Sequence, residues 1–178
     1  MCIRDSFYAE MGSVNPIFVL PGALKGQKEQ IATGFVSALT MGVGQFCTNP
    51  GVVAGMESDD WDEFSELVAE KVADFAPATM LHAGIHSTYT TGIESRDESE
   101  DLELLGKSSA KPDPEACEAA AYVYKTSQQG IMRDPSLLDE LFGPTSTLVN
   151  CGSVEDMVAI ADKIDGSLSA SVHGTEED

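Results

Sequence analysis

Met41-Gly42-Val43-Gly44-Gln45-Phe46-Cys47-Thr48-Asn49-Pro50-Gly51 is the stretch from which the rest of this 178-residue chain can be read. A glycine-rich approach leads to an amide, an aromatic ring and a thiol. Small residues let the backbone and a ligand come close to the sulfur, and Pro50-Gly51 then turns the chain sharply. A thiol so placed acts as a nucleophile once its proton is removed. A buried, inert cysteine in a loop is the commoner case. This stretch alone leaves the two readings open.

Two further blocks flank it. Upstream stands Ala9-Glu10-Met11-Gly12-Ser13-Val14-Asn15-Pro16, and downstream Glu140-Leu141-Phe142-Gly143-Pro144. Cys47 follows Glu10 by 37 residues, and Glu140 follows Cys47 by 93. A Glu-x-Gly-x-x-x-Pro block, a Gly-Gln-x-Cys block and a Glu-x-Phe-Gly-Pro block, in that order and at those separations, resemble the aldehyde dehydrogenase superfamily. The wording Ala-Glu-Met-Gly-Ser-x-Asn-Pro with Gly-Gln-Phe-Cys-Thr-Asn-Pro-Gly is most similar to its 2-oxoglutarate (ketoglutaric) semialdehyde dehydrogenase branch. The resemblance covers nearly all of residues 7–178.

The resemblance implies an α/β fold, the three-layer αβα catalytic domain of that family with a mostly parallel sheet. It gives Cys47 the role of nucleophile and Glu10 that of the base which activates water. Glu140 would accept hydrogen bonds from the ribose beside the nicotinamide, and Phe142 would pack near that ring. The implied cofactor is NAD or NADP, with most of its binding site outside this chain, because the phosphate-binding glycine loop and the oligomerisation strands have no counterpart here. The family's second oxyanion donor, an asparagine upstream of Glu10, is missing too. The expectation is a fragment, residues 7–178 of a catalytic domain, that is itself inactive. Its parent is expected to oxidise an aldehyde, 2-oxoglutarate semialdehyde by the branch, and to form a homo-oligomer. No cationic clamp for a second substrate carboxylate is legible. Two alternatives remain: a non-catalytic relative of the same fold, and a reductase of acyl phosphates or thioesters, against which Glu10 weighs.

Composition agrees with a soluble domain. The chain is 42% hydrophobic and 22% charged, with 10 Lys and Arg against 30 Asp and Glu, a net charge of −20. Nucleic acid and anionic membrane need a basic face and are poor partners. The four cysteines show neither metal-ligand spacing nor a disulfide framework, which points to a reduced, cytoplasmic setting. No metal is expected. No apolar run reaches membrane-spanning length. Residues 1–6 match nothing that follows and read as the translation of a library adaptor.

Patterning predicts strands over 7–9, 17–20, 52–54, 119–125, 147–150 and 168–172. Helices are predicted over 25–41, 58–75, 77–93, 135–141 and 153–164. The last of these should bury Met157, Val158, Ile160, Ala161 and Ile164. Residues 94–103 read as an acidic, solvated loop. His82 and His86, four apart, lack a His-Glu-x-x-His pattern and read as structural. Strands alternating with helices give layers around a mostly parallel sheet.

Overall fold

The computed structural model describes Ser6 and residues 11–178. The predicted strand over 7–9 and Glu10 lie outside the described residues. Strand β1 (Ile17–Val19) leads into α1 (Pro21–Thr40), β2 (Val52–Met56) and α2 (Asp59–Ala73). A two-residue strand β3 (Ala78–Thr79) precedes α3 (Ala83–Asp97) and β4 (Glu103–Lys107). Then come β5 (Glu118–Ala119), β6 (Tyr122–Ser127), α4 (Gln128–Arg133), β7 (Thr145–Cys151), α5 (Val154–Ala161) and β8 (Ser171–His173). Six strands form one sheet in the order β4-β6-β7-β2-β1-β8. Every neighbouring pair is parallel except β4 with β6. The α/β, mostly parallel expectation holds.

Both faces of the sheet are covered, which is why its central strands read as unbroken apolar runs. Successive residues point to opposite faces. Val53 and Leu148 join Val19, Phe35, Leu39, Trp61, Phe64 and Val68 in the core beneath α1 and α2. Val52, Ala54, Val149 and Cys151 join Ile131, Leu138, Met157 and Ile160 on the other side, beneath α4 and α5. A third cluster, with Val43, Tyr89, Ile93 and Tyr124, packs α3 against one end. Each large apolar side chain taken fully out of water contributes about 1.5–3 kcal/mol.

The helix starts follow local chemistry. Ser58 accepts the Trp61 N–H at 3.2 Å and Ser153 accepts the Asp156 N–H at 3.2 Å, both as N-caps. The acidic start of α2 is tied down rather than merely solvated. Lys28 of α1 reaches Asp60 at 2.7 Å and also Glu63, while Lys125 of β6 reaches Asp62 at 3.1 Å.

Several boundaries differ from the sequence reading. Helix α1 begins at Pro21, four residues early, because proline is well suited to a first helical turn. The helix expected over 77–93 is instead β3 followed by α3. His82 caps it through Nδ1, which accepts the Gly84 and Ile85 N–H groups at 3.1 and 3.3 Å. Helix α3 then runs on through Asp97, so the first four residues of the supposed acidic loop are helical. The loop proper is residues 98–102, and Glu103 already opens β4, an antiparallel edge strand exposed at both ends and half-buried at Leu105 and Gly106. The strand over 119–125 breaks in two where Ala120 and Ala121 pass between sheets; the Ala120 carbonyl takes the Tyr89 hydroxyl instead, at 2.8 Å. The helix over 135–141 is a single 3₁₀ turn, Pro135–Leu138, capped by Asp134. In α5, Val158 is 54% exposed and Ala161 is also exposed, contrary to expectation, because the face that carries Met157 and Ile160 is the one turned to the core and each of these two residues stands one position round from it. The last strand sits at 171–173, not 168–172.

Trp61 fills the space above β2 that Gly55 leaves open. A Cβ at Gly55 would stand 2.2 Å from the indole ring, and the indole N–H donates to Asn150 Oδ1 at 2.7 Å. Gly55→Ala is therefore expected to lower unfolding free energy by about 1–3 kcal/mol through overpacking. Gly26, within α1, has nothing within 4 Å of its Cβ position. Gly26→Ala should raise stability by about 0.4–1 kcal/mol. Urea denaturation of the two variants beside the parent chain checks both signs.

Candidate functional site

Each of the three sequence blocks stands immediately before a strand, and parallel pairing brings them to one edge of the sheet. Residues 11–16 lead into β1, 41–51 into β2 and 140–144 into β7. The site therefore assembles at the amino ends of these strands.

The cysteine loop is shaped by a left-handed run. Gly42, Val43 and Gly44 have φ values of 54°, 58° and 66°. For glycine this is free, but a buried β-branched valine there is strained, by about 1–3 kcal/mol. The glycines admit protein rather than ligand. A Cβ at Gly44 would fall 2.3 Å from the Gly143 carbonyl carbon, and one at Gly42 would fall 2.5 Å from the Phe46 ring. Gln45 closes the turn, donating from Nε2 to the Gly42 carbonyl at 2.9 Å and accepting the Leu81 N–H at 2.8 Å.

Beyond this turn the Cys47 side chain is exposed while its backbone is pinned. Asn15 Nδ2 donates to the carbonyls of Cys47 and Asn49, both at 2.9 Å, and to that of Ser13 at 3.2 Å. Its Oδ1 accepts from Ser13 Oγ at 2.8 Å, and from the N–H and hydroxyl of Ser169 at 3.2 and 3.0 Å. Asn15 is 3% exposed and sits at φ 50°, a conformation asparagine tolerates better than most residues. Among the described residues the Cys47 N–H meets no acceptor. The C-terminal end of α1 precedes this loop, so its dipole gives no help to a thiolate.

The third block is sewn to the other two. Asn49 Nδ2 donates to the Gly143 carbonyl at 3.1 Å. Glu140 is exposed, and its Oε2 accepts the Ser13 N–H at 3.2 Å. A Cβ at Gly12 would stand 3.2 Å from that oxygen. Glu140, Gly12, Ser13 and Lys163 line a cleft of about 330 Å³. Phe142 is half-buried two residues on. The segments that carry Cys47, Glu140 and Phe142 are thus bonded to one another, whereas Glu10 lies outside the described residues. The sequence reading missed the two asparagines as organisers. Their signal was present, since each is a lone amide directly before a proline.

The other candidate groups are structural. Cys151 is fully buried, donates toward the Val149 carbonyl at 3.9 Å, and burial pushes its thiol up to about 12, with Asp156 and Glu57 adding to the shift. Cys117 lies half-buried in a turn. His86 Nε2 pairs with the Glu118 carbonyl at 3.1 Å. Among the described residues no group of three or more His, Cys, Asp or Glu could hold a metal ion. Among the same residues no helix is long and apolar enough to cross a membrane.

Asn15→Ala removes every one of the amide's bonds and leaves buried carbonyls unpaired, each worth about 1–3 kcal/mol. It also places alanine at a left-handed position. Stability should fall by about 3–5 kcal/mol, and exchange of the Asn49 and Gly51 amides, which bond to the Phe46 and Val14 carbonyls, should rise toward that of an unfolded loop. An unchanged melt would remove Asn15 from its central place.

The chain is 34% identical over 171 residues to alpha-ketoglutaric semialdehyde dehydrogenase 2 of Azospirillum brasilense. It is 30% identical over 174 residues to alpha-ketoglutaric semialdehyde dehydrogenase of Acinetobacter baylyi. These alignments cover 96% and 97% of this chain but only 32% of each relative, so the chain spans about a third of their length. The fold superposes on Delta-pyrroline-5-carboxylate dehydrogenase from Mycobacterium tuberculosis bound with NAD, with a TM-score of 0.73 at 16% identity, over 94% of this chain and 31% of that one. The profile of the Aldehyde dehydrogenase family matches residues 5–178, and the chain belongs to that family.

Proposed function

We propose that this chain is the catalytic domain of an NAD(P)+-dependent aldehyde dehydrogenase and that Cys47 is its nucleophile. The observation that carries the reading is an exposed thiol on a loop whose backbone is locked by Asn15. A nucleophile needs an accessible sulfur on a backbone that does not move.

As thiolate, Cys47 Sγ attacks the aldehyde carbon, forming a C–S bond while the carbonyl pair moves onto oxygen. The Cys47 N–H, without an acceptor among the described residues, is a donor for that oxyanion. A bound nicotinamide would supply the hydride acceptor that turns the adduct into a thioester on Cys47. Glu10 then takes a proton from water, whose oxygen attacks the thioester carbon. The C–S bond breaks, the thiolate returns and the carboxylic acid leaves. Burial raises a carboxylate's pKa toward the range a general base needs.

The chain's residues fit such a cofactor. Glu140 presents a carboxylate, fixed by the Ser13 N–H, at the mouth of an open cleft, which suits a ribose diol. Phe142 beside it offers a flat ring for the nicotinamide. The names of the relatives favour 2-oxoglutarate semialdehyde as substrate, and the bulk of the cofactor site, with the subunit contacts of a homo-oligomer, would lie in the remainder of a longer protein.

Cys47→Ser in the whole protein should lower kcat at least about 10³-fold, and Glu10→Gln should trap a thioester seen as a mass increment on the Cys47 peptide. Oxidation of 2-oxoglutarate semialdehyde by the Cys47→Ser variant at the unmutated rate would refute the assignment. The 178-residue chain alone is expected to reduce no dinucleotide, because positioning worth about 7–11 kcal/mol is lost without the rest of the site. At pH 7.5 iodoacetamide should modify Cys47 and spare Cys151. The Cys151 thiol is held neutral up to about 12, so it forms no thiolate there. Peptide mass spectrometry of the native chain reads this directly.

A further inference from the structure

Helix α3 touches the Glu140 segment at three successive turns. Tyr89 lies under Gly143, where a Cβ would stand 2.2 Å from its ring, and its hydroxyl, which donates to the Ala120 carbonyl at 2.8 Å, also stands 3.3 Å from the Pro144 carbonyl. Gly92 makes room for Leu141, 2.4 Å from where a Cβ would be. Arg96 Nη2 donates to the Asp139 carbonyl at 3.2 Å, and its Nη1 donates to Thr147 Oγ1 at 2.9 Å. Residues 89, 92 and 96 share one helical face, so a single rigid rod backs the whole run from 139 to 144.

Arg96 is the unusual member. Among the described residues no carboxylate lies within 4 Å of it. Its partners are a carbonyl, a hydroxyl and the Tyr124 ring, 6.0 Å away. Burial lowers the guanidinium from its ordinary value, against the opposing pull of Tyr124, Tyr89 and Asp139. A cation set among neutral groups is costly, and for stability alone an apolar side chain would serve as well or better. The carbonyl it grips belongs to the residue directly before Glu140. A peptide held there fixes where the next Cα stands, and the Glu140 carboxylate is in turn held by the Ser13 N–H.

We propose that Arg96 is a positioning residue for the dinucleotide: by gripping the Asp139 carbonyl it holds the Glu140 carboxylate where a ribose can meet it. The proposal rests on the cofactor role given to Glu140 above. It goes beyond that role by placing control of dinucleotide affinity on α3, away from the ligand.

Two measurements test it. In the whole protein, NADH binding followed by its own fluorescence should weaken about tenfold in Arg96→Met, the order one charge-assisted hydrogen bond is worth. Arg96→Lys, which keeps a donor for the carbonyl, should recover to within about threefold of the unmutated protein. On a Glu140→Gln background the Arg96→Met change should have no further effect, since both act through one carboxylate. A merely structural arginine would weaken binding equally on both backgrounds, and that result overturns the proposal. In the 178-residue chain, without cofactor, Ser13 amide exchange should quicken about tenfold in Arg96→Met and stay near the unmutated rate in Arg96→Lys. If Arg96→Met does not fold, Thr147→Val, which frees one side of the guanidinium, should quicken Ser13 exchange about threefold. Unchanged exchange in the folded variants refutes the positioning role whatever the dinucleotide does. Failure of the unmutated whole protein to bind NADH, with Ser13 exchange still responding, would instead refute the cofactor reading of Glu140.

Discussion

One side-chain amide holds this site together. Asn15 gathers carbonyls from Ser13, Cys47 and Asn49 on its nitrogen and donors from Ser13 and Ser169 on its oxygen. Three chain segments, far apart in sequence, thereby meet within one residue's reach. Only the amide of asparagine or glutamine offers two N–H donors beside an acceptor oxygen on one planar group, and asparagine is the one that also accepts a left-handed backbone. Aspartate would keep the acceptor and lose the donors, facing carbonyl oxygens with a charge. The Cys47 carbonyl is fixed by this amide, so the thiol can project freely without its loop moving.

The placement at the amino ends of the parallel strands has a second consequence. Open α/β sheets more often bind at the carboxyl ends, where helix N-termini gather and supply positive partial charge. Here the element before the cysteine loop is a helix C-terminus, and strands contribute little dipole of their own. The α1 dipole therefore does not favour a thiolate at Cys47.

Much of this was legible in the sequence because the central strands are buried on both faces. Val52-Val53-Ala54 and Thr147-Leu148-Val149-Asn150 leave no alternation to misread, and the serine caps at 58 and 153 announce their helices. What failed did so for tertiary reasons. The stretch at 77–93 has helical composition throughout, yet Ala78 and Thr79 are taken by pairing with Ala119 and Glu118, which no local pattern reveals. Glu103-Leu104-Leu105-Gly106-Lys107 shows no strand signal beside the acidic run that it follows, but as an edge strand it needs only one buried face, and Gly106 packs against Ala69 of α2. For the site, the motifs marked which segments meet, while the bonds that join them run through Asn15, Asn49 and Arg96.

The glycines of the motifs sharpen that distinction. Read as sequence, Gly12, Gly42 and Gly44 suggest room for a ligand. In the fold Gly44 admits the Gly143–Pro144 backbone and Gly42 the Phe46 ring, and Gly12 keeps clear the Glu140 carboxylate. Their smallness is spent on packing the blocks against one another. Because that packing is tight, the loop tolerates a strained Val43 and a buried Asn49 Oδ1 with no partner among the described residues. Neither would persist unless the surrounding contacts over-determined the conformation. The cost is concentrated in the loop that carries Cys47, where a fixed backbone under an exposed thiol matters most.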